Sequence, residues 1–200
     1  MKDTALLILG AGSSSRMGEP KLLLDVNGSP LIQVLIKQLR SDQYDMYLVT
    51  GAYREEIQPC IVDLNCEEIY NPSWESGMGS SISTGIKKIV HKGGYSSVVI
   101  IAADQIMVKS NHINDIIKIW IRHPRCIVSA QYGKVRGIPA LFPANFFENL
   151  IELSGDVGAR KLISQNKERA IFYNLEEAHC DVDTVEEYKL FIKGIFHENN

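Results

Sequence analysis

The chain has 200 residues, of which 45% are hydrophobic and 22% charged, with a formal net charge of -3. That length can bury a sizeable core without disulfides or metals. The mild negative balance argues against nucleic acid or an anionic membrane as the main partner, but a local cluster of Lys and Arg can still hold a phosphorylated small molecule. Cys60, Cys66, Cys126 and Cys180 form neither a C-x-x-C pair nor a zinc spacing, as expected of free thiols in a reducing compartment.

In chain order, ALLIL at 5–9 is a continuous apolar run closed by glycines, the pattern of a central buried strand. It is too short for a signal-peptide core, and no later run approaches the ~18 apolar residues of a membrane span, so a cytoplasmic protein is expected. A loop rich in Gly and Ser follows through Lys21. Leu31, Leu35 and Leu39 then fall on one helical row, with Ile32 and Ile36 beside it. The segment 46–50 reads as a strand, 54–62 as a short helix, and 67–70 as a weaker strand. Ile82, Ile86, Ile89 and Val90 fit a helix face, and SVVIIAA at 97–103 is a second buried strand running into Asp104.

Ile113, Ile116, Ile117 and Trp120 predict a helix with Asn111 as its N-cap. Strands follow at 126–130 and 138–142, the second weakened by Pro139. Phe146, Phe147, Leu150 and Ile151 mark another helix. Thr184 and Glu187 have capping-box spacing ahead of a last one. Strands and helices alternate, which predicts an α/β fold with a mainly parallel sheet. No repeat, low-complexity tract or flexible linker divides it, so 1–200 is read as a single domain.

The segment LGAGSSSRMGEPK at 9–21 combines Gly10, Gly12 and Gly18 with Arg16 and Lys21. Bare backbone lets amide N–H groups approach an anion, and the two cations neutralise phosphate charge. It is not a Walker A loop, and the G-x-G-x-x-G pattern fails at Ser15. A flexible surface turn is the plain alternative. Asp104, delivered by a buried strand to the carboxyl edge of the sheet, is a candidate magnesium ligand, or else a turn cap. Asp181 and Asp183 flank Val182 and share one side of an extended backbone, so either could be a second ligand; a polar lead-in to a helix is the alternative. In NPSWESGMGSS at 71–81, small residues could admit a base and the Ser80 and Ser81 hydroxyls could bond a pyrimidine edge, or the serines could simply cap a helix. Arg160 and Lys161, behind two glycines, suit an acceptor phosphate or departing pyrophosphate, and equally a solvated basic pair.

LGAGSSSRMGEPKLLL resembles the signature loop of the MobA-like nucleotidyltransferases, and within them the molybdenum cofactor cytidylyltransferase branch. NPSWESGMGSSISTGI at 71–86, AADQI at 102–106, GIPALF at 137–142, LSGDVGARKLI at 153–163 and DVDTVEEY at 181–188 resemble further motifs of that branch, in order. The resemblance implies a Rossmann-like α/β domain of the nucleotide-diphospho-sugar transferase type, with helices on both faces. It implies CTP bound by Leu9, Gly10, Ala11, Gly12, Ser13, Arg16, Lys21, Gly79, Ser80 and Ser81, and Mg2+ on Asp104 and Asp183. Arg16, Lys21 and Asp104 are the implied catalytic residues; Arg160 and Lys161 would face the acceptor. Guanylyl-transferring members usually read Leu-Ala-Gly-Gly at the first loop and cytidylyl-transferring ones Leu-Ala-Ala-Gly. Ala11 in the third place resembles the CTP users.

The implied acceptor is molybdopterin carrying molybdenum, with a molybdenum hydroxylase or its maturation factor as the receiving partner. Three positions depart from the family pattern. Ile106 and Val185 stand where proline is usual, and Ile138 stands where histidine is usual. Ile106 is expected to loosen the loop holding Asp104, and Ile138 to remove a polar group from the acceptor side. Two other readings compete: a same-fold enzyme acting on a sugar phosphate or methylerythritol phosphate, and a non-catalytic protein that carries nucleotide or cofactor to an apo-enzyme.

Overall fold

The structure is a computed structural model that describes residues 2–14 and 20–179. Arg16, Cys180, Asp181, Asp183 and the helix expected after Thr184 lie outside the described residues. The elements run β1 (Thr4–Leu9), β2 (Asp25–Val26), β3 (Ser29–Pro30), α1 (Leu31–Gln38), β4 (Tyr44–Thr50), α2 (Arg54–Ile61) and β5 (Cys66–Tyr70). They continue with α3 (Met78–Lys92), β6 (Ser97–Ala102), α4 (Ser110–Arg122), β7 (Ile127–Tyr132), β8 (Val135–Pro143), α5 (Phe147–Ile151), α6 (Ala159–Gln165) and β9 (Ala170–Asn174). Among the described residues no helix is long and apolar enough to cross a membrane.

Seven strands form one sheet in the order β5-β4-β1-β6-β8-β7-β9, and β2 pairs with β3 in a separate two-stranded ribbon. Every neighbour pair in the large sheet is parallel except the two made by β8, which runs antiparallel to β6 and β7. Pro139 therefore sits inside the sheet, not at its edge. The ladder tolerates it because the β7–β8 register shifts at Ser129/Ala130, and the Ser129 hydroxyl donates to the Gly137 carbonyl at 2.8 Å.

Strand alternation sorts the core into two layers. Leu6 and Ile8 of β1, with Val99 and Ile101 of β6, pack against α1, α2 and α4 through Ile32, Leu35, Ile57, Ile113 and Ile116. Ala5, Leu7, Val98 and Ile100 point the other way, onto α3, α5 and α6 through Ile82, Ile86, Leu150 and Ile163. This is the expected Rossmann-like architecture with helices on both faces, and it explains why β1 and β6, after Thr4 and Ser97, are apolar at successive positions rather than every second one.

Asn111 does not cap α4. The cap is Lys109, whose amide donates to the His112 imidazole Nδ1 at 3.2 Å, so Asn111 falls within the first turn. The His112 ring nitrogen, at the third helical position, reaches back to accept the Lys109 amide, the N3-to-cap half of a capping box.

Candidate functional site

The chain visits β1, β4 and β5 on one side of the sheet, then returns to place β6 on the other side of β1. The strand order reverses at β1, and a crevice opens there at the carboxyl ends of the strands, where open α/β sheets hold ligands. Register fixes what meets in that crevice. Leu9 lies opposite Ala102 across a parallel pair, and the Ala103 amide donates to the Leu9 carbonyl at 3.0 Å. The glycine-rich loop and Asp104 therefore leave the sheet side by side.

A cavity of about 470 Å³ occupies the crevice, within the range of small-molecule sites. The loop contributes its floor through Leu9, Gly10, Ala11, Gly12 and Ser13. Gly10 has Leu22 and Leu48 packed beneath it, each 3.0 Å from where a Cβ would stand. The loop returns to its start where the Lys21 amide donates to the Ser14 hydroxyl at 3.3 Å. The Tyr53 hydroxyl donates to the Ser13 carbonyl at 3.0 Å and ties the loop to the base of α2.

Lys21 and Asp104 face the same cavity, with Nζ 3.6 Å from Oδ2. The lysine side chain is only 9% exposed, whereas the carboxylate is 36% exposed. A cation packed beneath an accessible acid suits a ligand that brings both phosphate oxygens and a divalent ion. The described residues hold no cluster of three or more His, Cys, Asp or Glu side chains able to cage a metal. One accessible carboxylate is what magnesium needs when substrate phosphates and water complete its shell, so the donor set fits.

The opposite wall comes from Trp74, Glu75, Gly77, Met78, Ser81 and Asp156. Trp74 packs on Gly51, where a Cβ would stand 2.6 Å from the Trp74 Cβ; it is at once part of the core edge and part of the wall. The buried Asn71 side chain donates to the hydroxyls of Ser80 and Ser81, at 2.9 and 3.0 Å. Ser81 lines the cavity. Gly79 and Ser80 do not. The Ser80 hydroxyl lies 2.9 Å from the carbonyls of both Ser73 and Gly77. The Gly79 amide donates to the Gly155 carbonyl at 2.8 Å, and a Cβ at Gly79 would stand 2.7 Å from the Ser154 nitrogen. Both shape the start of α3 rather than meet the cavity.

Arg160 and Lys161 lie in the first turn of α6, exposed and outside the cavity lining. The Arg160 guanidinium does reach Gly137, with Nε 3.6 Å from a Cβ placed there. That end of β8 lies at the same sheet edge as Asp104, so the 137–142 and 153–163 motifs converge beside the cavity.

Ile106 does not leave the Asp104 loop loose. It is buried against Val26 and Leu31, and its amide, which a proline would lack, donates to the Asp104 carbonyl at 2.9 Å. The Gln38 carboxamide donates to the carbonyls of Ile106 and Val108 at 2.7 and 2.8 Å and clamps the loop from α1. Two polar residues at the site carried no role in the sequence reading. Asp156 reaches the cavity because Gly77, with φ of 95°, leaves room that a Cβ would fill at 2.5 Å from Asp156 Oδ1. Gln105 lies buried directly behind Asp104. The sequence signals were Asp156 within GDVGARK and Gln105 beside the strand-end acid.

Comparison with known proteins places the chain in a family and a fold. Residues 6–170 match the MobA-like NTP transferase domain. The purine catabolism protein PucB of Bacillus subtilis (strain 168) is 26% identical over 195 residues, covering 92% of this chain and 93% of PucB. A nucleotidyl transferase from Methanothermobacter thermautotroptrophicus superposes with a TM-score of 0.80 at 19% identity, covering 100% of both chains. Rv0371c from Mycobacterium tuberculosis H37Rv, solved in complex with manganese, superposes with a TM-score of 0.73 at 20% identity over 96% of this chain and 99% of its own.

Proposed function

The chain belongs to the MobA-like NTP transferase family, and on that premise we propose that it transfers CMP from CTP to the phosphate of molybdopterin, releasing pyrophosphate. One observation carries the proposal: Lys21 Nζ and the Asp104 carboxylate stand 3.6 Å apart in one cavity at the strand-order reversal. In this reading residues 1–200 act as one domain.

The loop amides from Gly10 to Ser13 cradle the triphosphate, and Lys21 and Arg16 neutralise its β and γ groups as they become the leaving group. Asp104 and Asp183 would hold Mg2+, which when bound supplies further charge neutralisation on the phosphate oxygens. An oxygen of the acceptor phosphate bonds to the α-phosphorus, and the bond from that phosphorus to the bridging β-phosphate oxygen breaks. The nucleophile is already ionised, so no general base is needed. The protein's task is alignment and charge compensation between two anions.

Ser81 faces the base. Its oxygen accepts from Asn71 at 3.0 Å, which leaves its proton to donate to a pyrimidine acceptor. Ala11 in the place where guanylyl-transferring relatives usually carry glycine supports CTP over GTP. Arg160 and Lys161 serve the acceptor phosphate from beside Gly137. The name of the PucB relative, a purine catabolism protein, supports an acceptor destined for a purine-oxidising molybdenum hydroxylase such as xanthine dehydrogenase, with that enzyme or its maturation factor as the receiving partner.

The test is pyrophosphate release with Mg2+, CTP and reduced molybdopterin, run beside GTP and beside sugar phosphates and methylerythritol phosphate as acceptors. Release with CTP and molybdopterin alone is expected. Release with another acceptor would reassign the substrate, and binding without release would identify a carrier.

A further inference from the structure

We infer that Gln105 is a positioning residue that aims Asp104 by tying its turn to β8 and to Ala178; the inference rests on the metal reading above. Gln105 follows directly on the cavity acid, yet it is only 2% exposed. Its carboxamide joins three segments distant in sequence. Oε1 accepts the Ala102 amide at 3.3 Å, at the end of β6. Nε2 donates to the Ile138 carbonyl at 2.9 Å, near the start of β8, and to the Ala178 carbonyl at 3.0 Å. Ala178 lies in the 3₁₀ turn Glu176–His179, which leads in sequence to Asp183.

A carboxamide is the side chain this junction requires. It offers one acceptor and two donors in a fixed plane; a carboxylate supplies no donor and a hydroxyl only one. Both Nε2 bonds go to main-chain carbonyls, so the junction sets backbone positions and not merely side-chain contacts. Asp104 sits between residues whose amides are already committed, Ala103 to Leu9 and Gln105 to Ala102, at 3.0 and 3.2 Å. Its carboxylate is therefore aimed by a turn that Gln105 staples from behind. Gln38 clamps the later part of the same loop at Ile106 and Val108, which separates ordering of the loop from linkage to Ala178.

The experiment uses the full chain with CTP and Mn2+ as the probe ion, its binding followed by electron paramagnetic resonance. Metal-free CTP binding is measured in parallel under chelator. Gln105→Met, which removes the bonds that fix the turn behind Asp104 without touching its carboxylate, lowers Mn2+ affinity of the CTP complex by roughly 10-fold, while metal-free CTP affinity stays within about 3-fold. Gln38→Met has the smaller effect on Mn2+. Unchanged Mn2+ affinity in Gln105→Met, or equal loss of metal-free CTP binding, overturns the inference, as does a larger effect from Gln38→Met. If Gln105→Met does not fold, Gln105→Glu, which keeps the shape and the Ala102 bond, carries the same two outcomes. Wild-type protein that binds CTP without taking up Mn2+ overturns the metal reading itself.

Discussion

Replacing Lys21 with Met separates the phosphate-binding role of this side chain from its structural one. Met keeps much of the apolar length of a side chain that is 9% exposed, so packing is nearly preserved. In the unliganded protein the charge pair at 3.6 Å is worth about 5 kcal/mol at an effective dielectric of about 20. Solvent reaching the 36%-exposed Asp104 carboxylate cuts that to about 1 kcal/mol, and removing a buried ammonium returns a similar desolvation cost. Stability without ligand should therefore move by no more than about 1 kcal/mol, a few degrees in thermal midpoint.

Binding should respond very differently. Charge-assisted contacts to the β- and γ-phosphates are worth about 1.5–3 kcal/mol, so CTP affinity should fall roughly 10–150-fold. CMP lacks those phosphates, and its affinity should fall less than about 3-fold. Calorimetric titration of Lys21→Met with CTP and CMP, beside a thermal melt, measures all three quantities. Equal losses for the two nucleotides would refute a position at the β/γ end. A collapse in stability would make Lys21 a structural residue.

Two further outcomes follow from particular groups. Asp104→Asn should lower pyrophosphate release by on the order of 1,000-fold while leaving the circular dichroism and thermal midpoint close to wild type; wild-type turnover would remove Asp104 from the metal site. Burial and, secondarily, the Glu67 carboxylate push the Cys66 thiol up to about 12. The folded chain thus keeps a proton that the unfolded chain releases above roughly pH 8.5, so this contribution to stability is whole below that pH and is lost as pH rises towards 12. Urea midpoints should fall between pH 8 and 10.5 more steeply in wild type than in Cys66→Ala, and identical slopes would contradict the burial.

The strands that build the site were legible because β1 and β6 are short apolar runs bounded by glycine or an acid, the pattern of strands in a sheet covered on two sides. Asp104 was legible for the same reason, as a lone acid directly at the end of such a run, whereas Lys21 was legible as a cation in the glycine-rich loop that follows β1. The direction of β8 was not, since alternation and Pro139 say nothing about which neighbour a strand pairs with. Asn111 misled because cap propensity is local, while the His112 ring supplied an acceptor that residue type alone does not advertise. Gly79 and Ser80 are assigned to the nucleotide by family resemblance, since residue type leaves helix capping equally open; the sequence does not show that Gly79 packs on Ser154 and Gly155 or that the Ser80 hydroxyl meets Asn71, Ser73 and Gly77. Gln105 and Asp156 escaped because their roles depend on partners 30 to 80 residues away in sequence, Ile138 and Ala178 for the one and Gly77 for the other.

The most direct measurement is a crystal structure of the full chain with CTP and Mn2+, read by anomalous scattering at the manganese edge. The triphosphate should lie along the Gly10–Ser13 amides with its β and γ groups at Lys21, and the manganese peak should sit within bonding distance of both the Asp104 carboxylate and a phosphate oxygen. A metal bound away from Asp104, or a nucleotide held elsewhere on the molecule, would contradict the account.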